Sequence, residues 1–344
     1  MTISLVTWNV AGVDFLKVDP KDRQSKRNQY QACLQKIIDD ANPDVVVFQE
    51  VVRYEQEFDV PGLSTPKKGD KIELFDAPTG YNYVSSIAID TVHQNDPLKW
   101  GKIRKNLKTG KCIWSENTYL GQGYGILWRS ELPHSNIRET EIDNARPDTP
   151  LEIENVRIET GVFMGDRDTE PRILMVAHFV HENRDVFIVN VHLTTLKGER
   201  EGFPEEDENG CEIRSYQIDI ISSGIVSRIN KYRKNLLGDQ ARRGIWFLAG
   251  DFNRVPSSTE IAKLDKMNFA RLCNNDATKR EKRGYDPSIK VDFIFVGPRY
   301  YSFDPYRLPM IIDTGLPTDA ASSYFICKDI NISDHFPIGM RFNL

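Results

Sequence analysis

The stretch "WFLAGDFNRVPSS", residues 246–258, decides how this chain is read. An apolar run from Ile245 to Ala249 ends in Gly250, and Asp251 and Asn253 then follow two residues apart. Asp, Asn and Gly are common turn residues, because their side chains bond local backbone and they tolerate unusual dihedrals. The same arrangement would also hold two polar groups at the end of a strand. Local reading leaves both possibilities open, so the decision rests on the rest of the chain.

Working outward, strand and helix patterns alternate. "ISLVTWNV" (3–10) reads as a strand. "RNQYQACLQKIIDDA" (27–41) places Tyr30, Cys33, Leu34, Ile37, Ile38 and Ala41 at spacings of three and four, an amphipathic helix. Asn42-Pro43 ends it, since the residue before proline disfavours the helical region. "DVVVFQE" (44–50) is then a buried strand finishing on Glu50. "RILMVAHFV" and "DVFIVNVHL", joined by "HENR", read as a hairpin. "RSYQIDIISSGIVSRINKYRKNLL" (214–237) reads as a long helix stopped by Gly238, followed by the strands "GIWFLAGDF", "KVDFIFVG" and "PIGMRFNL". β-branched and aromatic strands separated by two long helices predict an α/β domain with two packed sheets and outer helices. Two segments break the pattern and read as insertions in one domain of residues 1–344. Residues 53–122 are polar and poor in periodicity, and residues 197–213 are acidic and read as a solvated loop.

Composition bounds the class. The chain has 344 residues, 40% hydrophobic and 28% charged, which suffices for a sizeable core. Mean hydropathy is −0.47, and no apolar run approaches the roughly 18 residues that would span a bilayer. The start "MTISLVTWNVAG" lacks a basic n-region, so a cytoplasmic location is expected. The five cysteines, Cys33, Cys112, Cys211, Cys273 and Cys327, are scattered without a C-x-x-C pair, which points to reduced thiols rather than a zinc or redox motif. A net charge of −5 offers no global attraction to nucleic acid, so binding of a polyanion would need a local basic patch.

Polar residues recur where the strands end. Asn9 closes the first and Glu50 the second, while Asn190 and His192 share one face of "VFIVNVHL" opposite Phe187, Val189 and Val191. Asp251 and Asn253 follow "IWFLAG", Asp292 opens "DFIF", and Asp334-His335 precede the last strand. Each has a structural explanation alone. Together they put carboxylates, amides and imidazoles where adjacent strands converge.

In this order "TWNVAG", "DVVVFQEV", "VNVHLTT", "LAGDFNRVPSS", "VDFIFVG" and "SDHFPIGM" resemble the endonuclease/exonuclease/phosphatase superfamily, the DNase I-like metal-dependent phosphoesterases. The resemblance spans residues 3–342. It implies a four-layered αββα sandwich, two mainly antiparallel central sheets flanked by helices, with the site at one rim. It also implies Mg²⁺ or Mn²⁺, because a hard divalent cation neutralises a phosphodiester and polarises a phosphoryl oxygen. Carried onto this sequence, Glu50 is the metal ligand, supported by Asn9 and Asp334. Asp251 accepts a proton from the attacking water, and Asn253 orients that water or the phosphate. His335 donates to a non-bridging oxygen, Asp292 holds His335 in its tautomer, and His192 adds a second donor.

The histidine at position 192 resembles DNase I, sphingomyelinases, inositol-polyphosphate phosphatases, deadenylases and tyrosyl-DNA phosphodiesterases more than abasic-site endonucleases of the exonuclease III type. In DNase I a glutamate supports that histidine, and here Gln122 aligns with it. Arg214 and Gln217, in an R-x-x-Q pattern, read as structural. Substrate choice is expected in the loops. "KWGKIRKNLKTGK" (99–111) carries six Lys/Arg and no acid, with Trp100 within it and Trp114 just beyond. Lys99, Trp100, Lys102, Arg104 and Lys105 could track a phosphate backbone and stack bases, or form a solvated surface. "KREKR" (279–283) precedes the Asp292 strand and should lie near the rim. The leading expectation is a nuclease acting on DNA or RNA. A phosphatase or phosphodiesterase of a small molecule or lipid headgroup comes second, and a silent binding module on the same fold third.

Overall fold

The computed structural model describes residues 2–16, 18–19, 21–55, 71–87, 121–132, 151–153, 174–181, 184–195, 204, 208–219, 221, 244–267, 269–272, 278–279, 290–297 and 321–343. Two mixed sheets face each other. One has strand order β12-β13-β1-β2-β5-β4, with β3 also pairing β2. Its strands are β1 (Thr2–Asn9), β2 (Val45–Glu55), β3 (Lys71–Glu73), β4 (Tyr81–Ile87), β5 (Gly121–Arg129), β12 (Ala321–Ile326) and β13 (Ile338–Asn343). The other runs β10-β11-β9-β8-β7-β6. It comprises β6 (Leu151–Ile153), β7 (Leu174–His181), β8 (Arg184–His192), β9 (Gly244–Asp251), β10 (Ala270–Arg271) and β11 (Asp292–Val296). The pairings β1–β2 and β8–β9 are parallel and the others antiparallel.

Strand alternation sorts the side chains into layers. Ile3, Leu5, Val45, Val47, Val186, Ile188, Ile245, Phe247, Ala249 and Ile294 meet between the sheets. The alternate residues Val6, Trp8, Val46 and Phe48 turn outward against Tyr30, Leu34 and Ile37 of the helix α1 (Arg23–Ala41). On the other side, Phe187, Val189, Trp246, Leu248, Phe293 and Phe295 meet Ile218 and Ile221. Ile261 and Leu264 of a second helix (Thr259–Lys266) join them. The result is helix, sheet, sheet, helix, the expected αββα sandwich. Each fully buried aliphatic or aromatic side chain on these faces contributes about 1.5–3 kcal/mol.

Several local readings need correction. The helix expected over 27–41 begins at Arg23. Its first turn is mostly polar, and apolar periodicity begins only at Tyr30. Asn42 ends it in a left-handed conformation, φ 47°, with its N–H on Ile38 O. The strand expected to stop at Glu50 continues to Glu55 through a bulge. Residues 53–122 are not featureless, since β3 and β4 lie among them and β4 pairs with β5. Its sequence "YNYVSSI" mixes tyrosines with polar residues and hides the strand. Within 197–213, residues 208–213 are helical and continue to 219, with Ile213 buried, so the helix starts before Arg214. Residues 222–237 of the expected long helix lie outside the described residues. No helix among the described residues is long and apolar enough to cross a membrane. Cys33, Cys211 and Cys327 carry free thiols.

Gly250 answers part of the question raised by "LAGDFN". A Cβ there would lie 1.8 Å from Val191 O on the neighbouring strand, and φ is +153°, where L side chains are strained. Gly250→Ala should therefore prevent β9 from closing against β8. The expected result is little folded protein, or a thermal midpoint lowered by more than 5 °C. A wild-type midpoint would contradict this packing argument.

Candidate active site

All the strand-end residues sit on the inner face at the same end of the sandwich. Thr7 and Asn9 extend the inner row of β1, Asn190 and His192 that of β8, Asp251 that of β9, and Asp292 that of β11. Within the second sheet, His192 pairs with Asp251, and Asp251 pairs with Asp292. Two carboxylates are thus direct cross-strand neighbours, which is unfavourable without a cation between them.

His335 supplies that cation. Its Nδ1 lies 3.0 Å and 3.2 Å from the two Asp292 oxygens, and its Nε2 lies 3.7 Å from Asp251 Oδ2. Burial alone would lower the imidazole pKa, but the Asp292 and Asp251 carboxylates outweigh it and raise it to about 9. At neutral pH the ring is an imidazolium, with Nδ1–H given to Asp292. Burial pushes the Asp251 carboxyl up, and Asp292 adds to this against the pull of His335.

The first sheet contributes Asn9 and Glu50. Asn9 Nδ2 donates to Glu50 Oε1 at 3.1 Å and to Asp251 Oδ2 at 2.9 Å, joining a carboxylate of each sheet. Asn9 Oδ1 accepts from Ala11 N at 2.9 Å, which fixes the amide orientation. Glu50 occupies the bulge between the pairs Gln49–Tyr124 and Val51–Gly123, with φ +57°. In a regular strand Glu50 would point outward with Phe48. The bulge turns it inward, 3.8 Å from His192 Nε2. Gly12 lies against this bulge, where a Cβ would fall 2.1 Å from Glu50 O. Of the four positive-φ non-glycine residues described, Ala11, Glu50 and Asn253 belong to this rim. Such strain, of order 1–3 kcal/mol each, persists where surrounding structure enforces it.

Asn253 closes the turn that opened the reading. Its N–H donates to Asp251 Oδ1 at 2.7 Å, and its Nδ2 donates to Leu193 O at 2.8 Å. The turn itself presents Asp251. His192 Nε2 also stands 3.8 Å from Asp251 Oδ2, and Tyr124 packs edge-on against the imidazole. Asp334 Oδ1 is 4.0 Å from His335 Nε2, and its Oδ2 is 3.9 Å from Lys279 Nζ. Lys279, first of the basic run 279–283, pairs with His335 in an isolated bridge and so reaches the rim.

Several residues support the site from behind, and of these only Arg214 and Gln217 were read from the sequence, as structural. Ser333 Oγ donates to Asn9 O at 2.8 Å and accepts from His335 N at 3.1 Å, tying the loop to β1. Thr278 Oγ1 accepts from Val291 N and Asp292 N, and its carbonyl accepts from Phe336 N, so one residue clamps both halves of the His335–Asp292 pair. Arg214 and Gln217 grip Thr194, two residues beyond His192. Arg214 donates to Thr194 O, while Gln217 bonds both Thr194 N and Oγ1. Glu260 accepts from Arg214 Nε and Arg254 Nε, each at 2.8 Å. Among the supports not read from the sequence, only Ser333, at i−2 from His335, had a local signal, a serine turn. Lys99, Trp100, Lys102, Arg104 and Lys105, and the side chain of Gln122, lie outside the described residues.

Asp251, Asp292 and His335 bring ligand atoms within 4.8 Å of one another, a group that could hold a metal ion. With hydrogen-bonded carboxylates and an imidazolium at the rim of two packed sheets, the fold and site define a phosphoester hydrolase. The chain belongs to the endonuclease/exonuclease/phosphatase family, whose model matches residues 6–335. Among solved structures, it resembles an endonuclease/exonuclease/phosphatase family protein from Leptotrichia buccalis, with 12% identity and a TM-score of 0.51, covering 99% of this chain and 100% of that one. A humanized D. rerio TDP2 carrying 14 mutations matches at 14% identity and a TM-score of 0.50, covering 100% and 99%. The human nocturnin catalytic domain matches at 13% identity and a TM-score of 0.47, covering 99% and 94%. No curated protein matches by sequence.

Proposed function

We propose that this protein is a divalent-metal-dependent phosphodiesterase that cleaves nucleic acid. The observation carrying the phosphodiesterase reading is the Asn9 amide spanning Glu50 and Asp251 beside the His335 imidazolium. It supports a reading in which a cation ligand, a base and an acid meet at one point.

Glu50 fits a hard cation, because its carboxylate is turned to the rim and partly exposed, and Asp334, beside His335 and Lys279, is its proposed support. Bound there, Mg²⁺ or Mn²⁺ would neutralise phosphate charge and polarise a phosphoryl oxygen. Asn9 directs its N–H groups toward both carboxylates and so acts as a support rather than a direct ligand. His335 Nδ1 is already committed to Asp292, which leaves the more exposed Glu50 as the proposed first ligand.

In the proposed reaction, Asp251 accepts a proton from water, and its raised pKa strengthens it as a base. His335 donates through Nε2 to a non-bridging oxygen, while Asp292 retains the Nδ1 proton. His192 adds a second donor, and Asn253 orients the water or phosphate from the turn. Nucleic acid is favoured by Lys279 at the rim and by the two Lys/Arg-rich segments in the sequence.

The test is a hydrolysis panel with Mg²⁺ or Mn²⁺ over single- and double-stranded DNA, RNA, inositol phosphates and sphingomyelin, with Asp251→Asn as the blank. Nucleic acid is expected to be cleaved, with affinity falling steeply as salt rises. Excess chelator should abolish activity and added cation should restore it. Activity surviving chelation would remove the metal role. Preference for a small ester, with salt-insensitive binding, would replace nucleic acid by the small-phosphoester reading.

A further inference from the structure

Directly beneath the site lies a second polar layer, made of Thr7, Gln49 and Asn190. Thr7 is two residues before Asn9 on β1, Asn190 two before His192 on β8, and Gln49 immediately before Glu50 on β2. All three are buried, Gln49 and Asn190 completely. Dry aliphatic packing would have sufficed for stability at this depth, since a buried polar group is costly unless fully bonded.

The bonds are few and directed. Asn190 Nδ2 donates to Phe48 O at 2.8 Å and to Gly125 O at 3.1 Å. Phe48 and Gly125 are paired across β2 and β5, two residues before the Glu50 bulge. Asn190 Oδ1 accepts from Gln49 Nε2 at 2.7 Å, and Gln49 Nε2 also donates to Thr7 Oγ1 at 3.0 Å. Val10 N adds a bond to Gln49 O at 3.0 Å. One amide from the second sheet therefore grips both the backbone and the side chain of the first, beside the residue whose φ is +57°. Glu50 and His192 stand on different sheets and approach to 3.8 Å, so their spacing depends on how the sheets are tied here.

We propose that Asn190 is a positioning residue: through Gln49 and the β2–β5 backbone it holds the Glu50 bulge in the conformation that binds the divalent cation. This rests on the metal reading of Glu50 above. A side chain acting behind a ligand in this way typically changes metal affinity 10–100-fold when removed. A merely structural Asn190 would change stability and leave cation affinity alone.

The test is Mn²⁺ titration calorimetry on metal-free wild type, Glu50→Gln, Asn190→Ser, Thr7→Val and Phe187→Leu. Phe187→Leu lies on the opposite face of β8, away from the site, and controls for lost stability. Asn190→Ser is expected to raise the Mn²⁺ Kd at least about tenfold. Thr7→Val, nearly isosteric, should raise it by a smaller factor of about three, because it removes the hydroxyl that accepts from Gln49 Nε2 and donates to Gln49 Oε1. Phe187→Leu should leave it unchanged. In the same variants the alkaline fall of kcat/KM should stay at its wild-type pH, because Asn190 does not touch His335. Folded Asn190→Ser with a wild-type Kd, or a loss matched by Phe187→Leu, overturns the proposal. Should Asn190→Ser fail to fold, an unchanged Kd in Thr7→Val overturns it equally. Wild type binding Mn²⁺ no better than Glu50→Gln would instead refute the metal reading, and the proposal with it.

Discussion

Asp251→Asn and His335→Ala each lower turnover by about 10²-fold or more, with the fold retained, when assayed on whichever phosphoester the panel selects. Asp251→Asn removes the base and keeps a single oxygen, which can accept from Asn9 Nδ2 or from Asn253 N but not from both. His335→Ala removes the donor and leaves Asp251 and Asp292 facing one another across the β9–β11 pairing. Near-normal turnover in either variant would refute the roles given to these two groups. The pH dependence sharpens the test. His335 is raised to about 9, so kcat/KM should fall as pH rises through about 9 and the imidazolium is lost. Asp292→Asn removes one of the two supporting carboxylates, and the fall should move about one to two pH units lower. The same shift stabilises the fold. It lies above the unfolded value of 6.5, so the stabilisation is complete below 6.5 and disappears as pH rises through about 9.

Glu260→Gln is expected to lower the thermal midpoint by about 5 °C, corresponding to about 3 kcal/mol. Burial acts to raise the Glu260 pKa, but hydrogen bonds from Arg214 and Arg254 overcome it and hold the carboxyl at about 2. Both Glu260 and Arg214 are almost fully buried, so solvent screening is slight. The depression of the pKa from 4.5 corresponds to about 3 kcal/mol. That stability is present above pH 4.5 and is lost as pH falls through about 2. Wild type and Glu260→Gln should therefore differ most near neutrality and converge in acid. A midpoint within one degree of wild type at pH 7 would show that the two arginines need no carboxylate. The network also grips Thr194 and Arg254, which flank His192 and Asn253, so loss of Glu260 should loosen the site before the sheets part.

Much of the site was legible in the sequence because strand periodicity carries it. Once "TWN", "VNVH" and "LAGD" are read as strands, Asn9, His192 and Asp251 must share the inner face with the apolar Leu5, Ile188 and Phe247 four positions earlier. Glu50 was recognised by motif and not by geometry. Regular alternation would put it outward with Phe48, and only the bulge, held by Gly12, Gln49 and Asn190, turns it inward. The ties from Thr278 to Val291, from Glu260 to Arg214 and from Ser333 to Asn9 were missed because these partners lie 13, 46 and 324 residues away, and an isolated Thr, Ser or Glu has no periodic pattern. Strand β4 was hidden by polar residues mixed with tyrosines, and β3, only three residues long, is too short to show alternation.

The sequence by itself determined two sheets, outer helices, and a set of acids, amides and histidines at strand ends, since these follow from side-chain alternation and chain order. It also left "LAGDFN" as either a turn or part of a site. Tertiary structure made it both: Gly250 lets β9 approach Val191, and the turn at Asn253 holds Asp251 against Asn9 of the opposite sheet. Which groups are charged was likewise settled only in three dimensions. An imidazole is raised to about 9 only when two carboxylates from neighbouring strands are buried around it, and no local sequence carries that proximity.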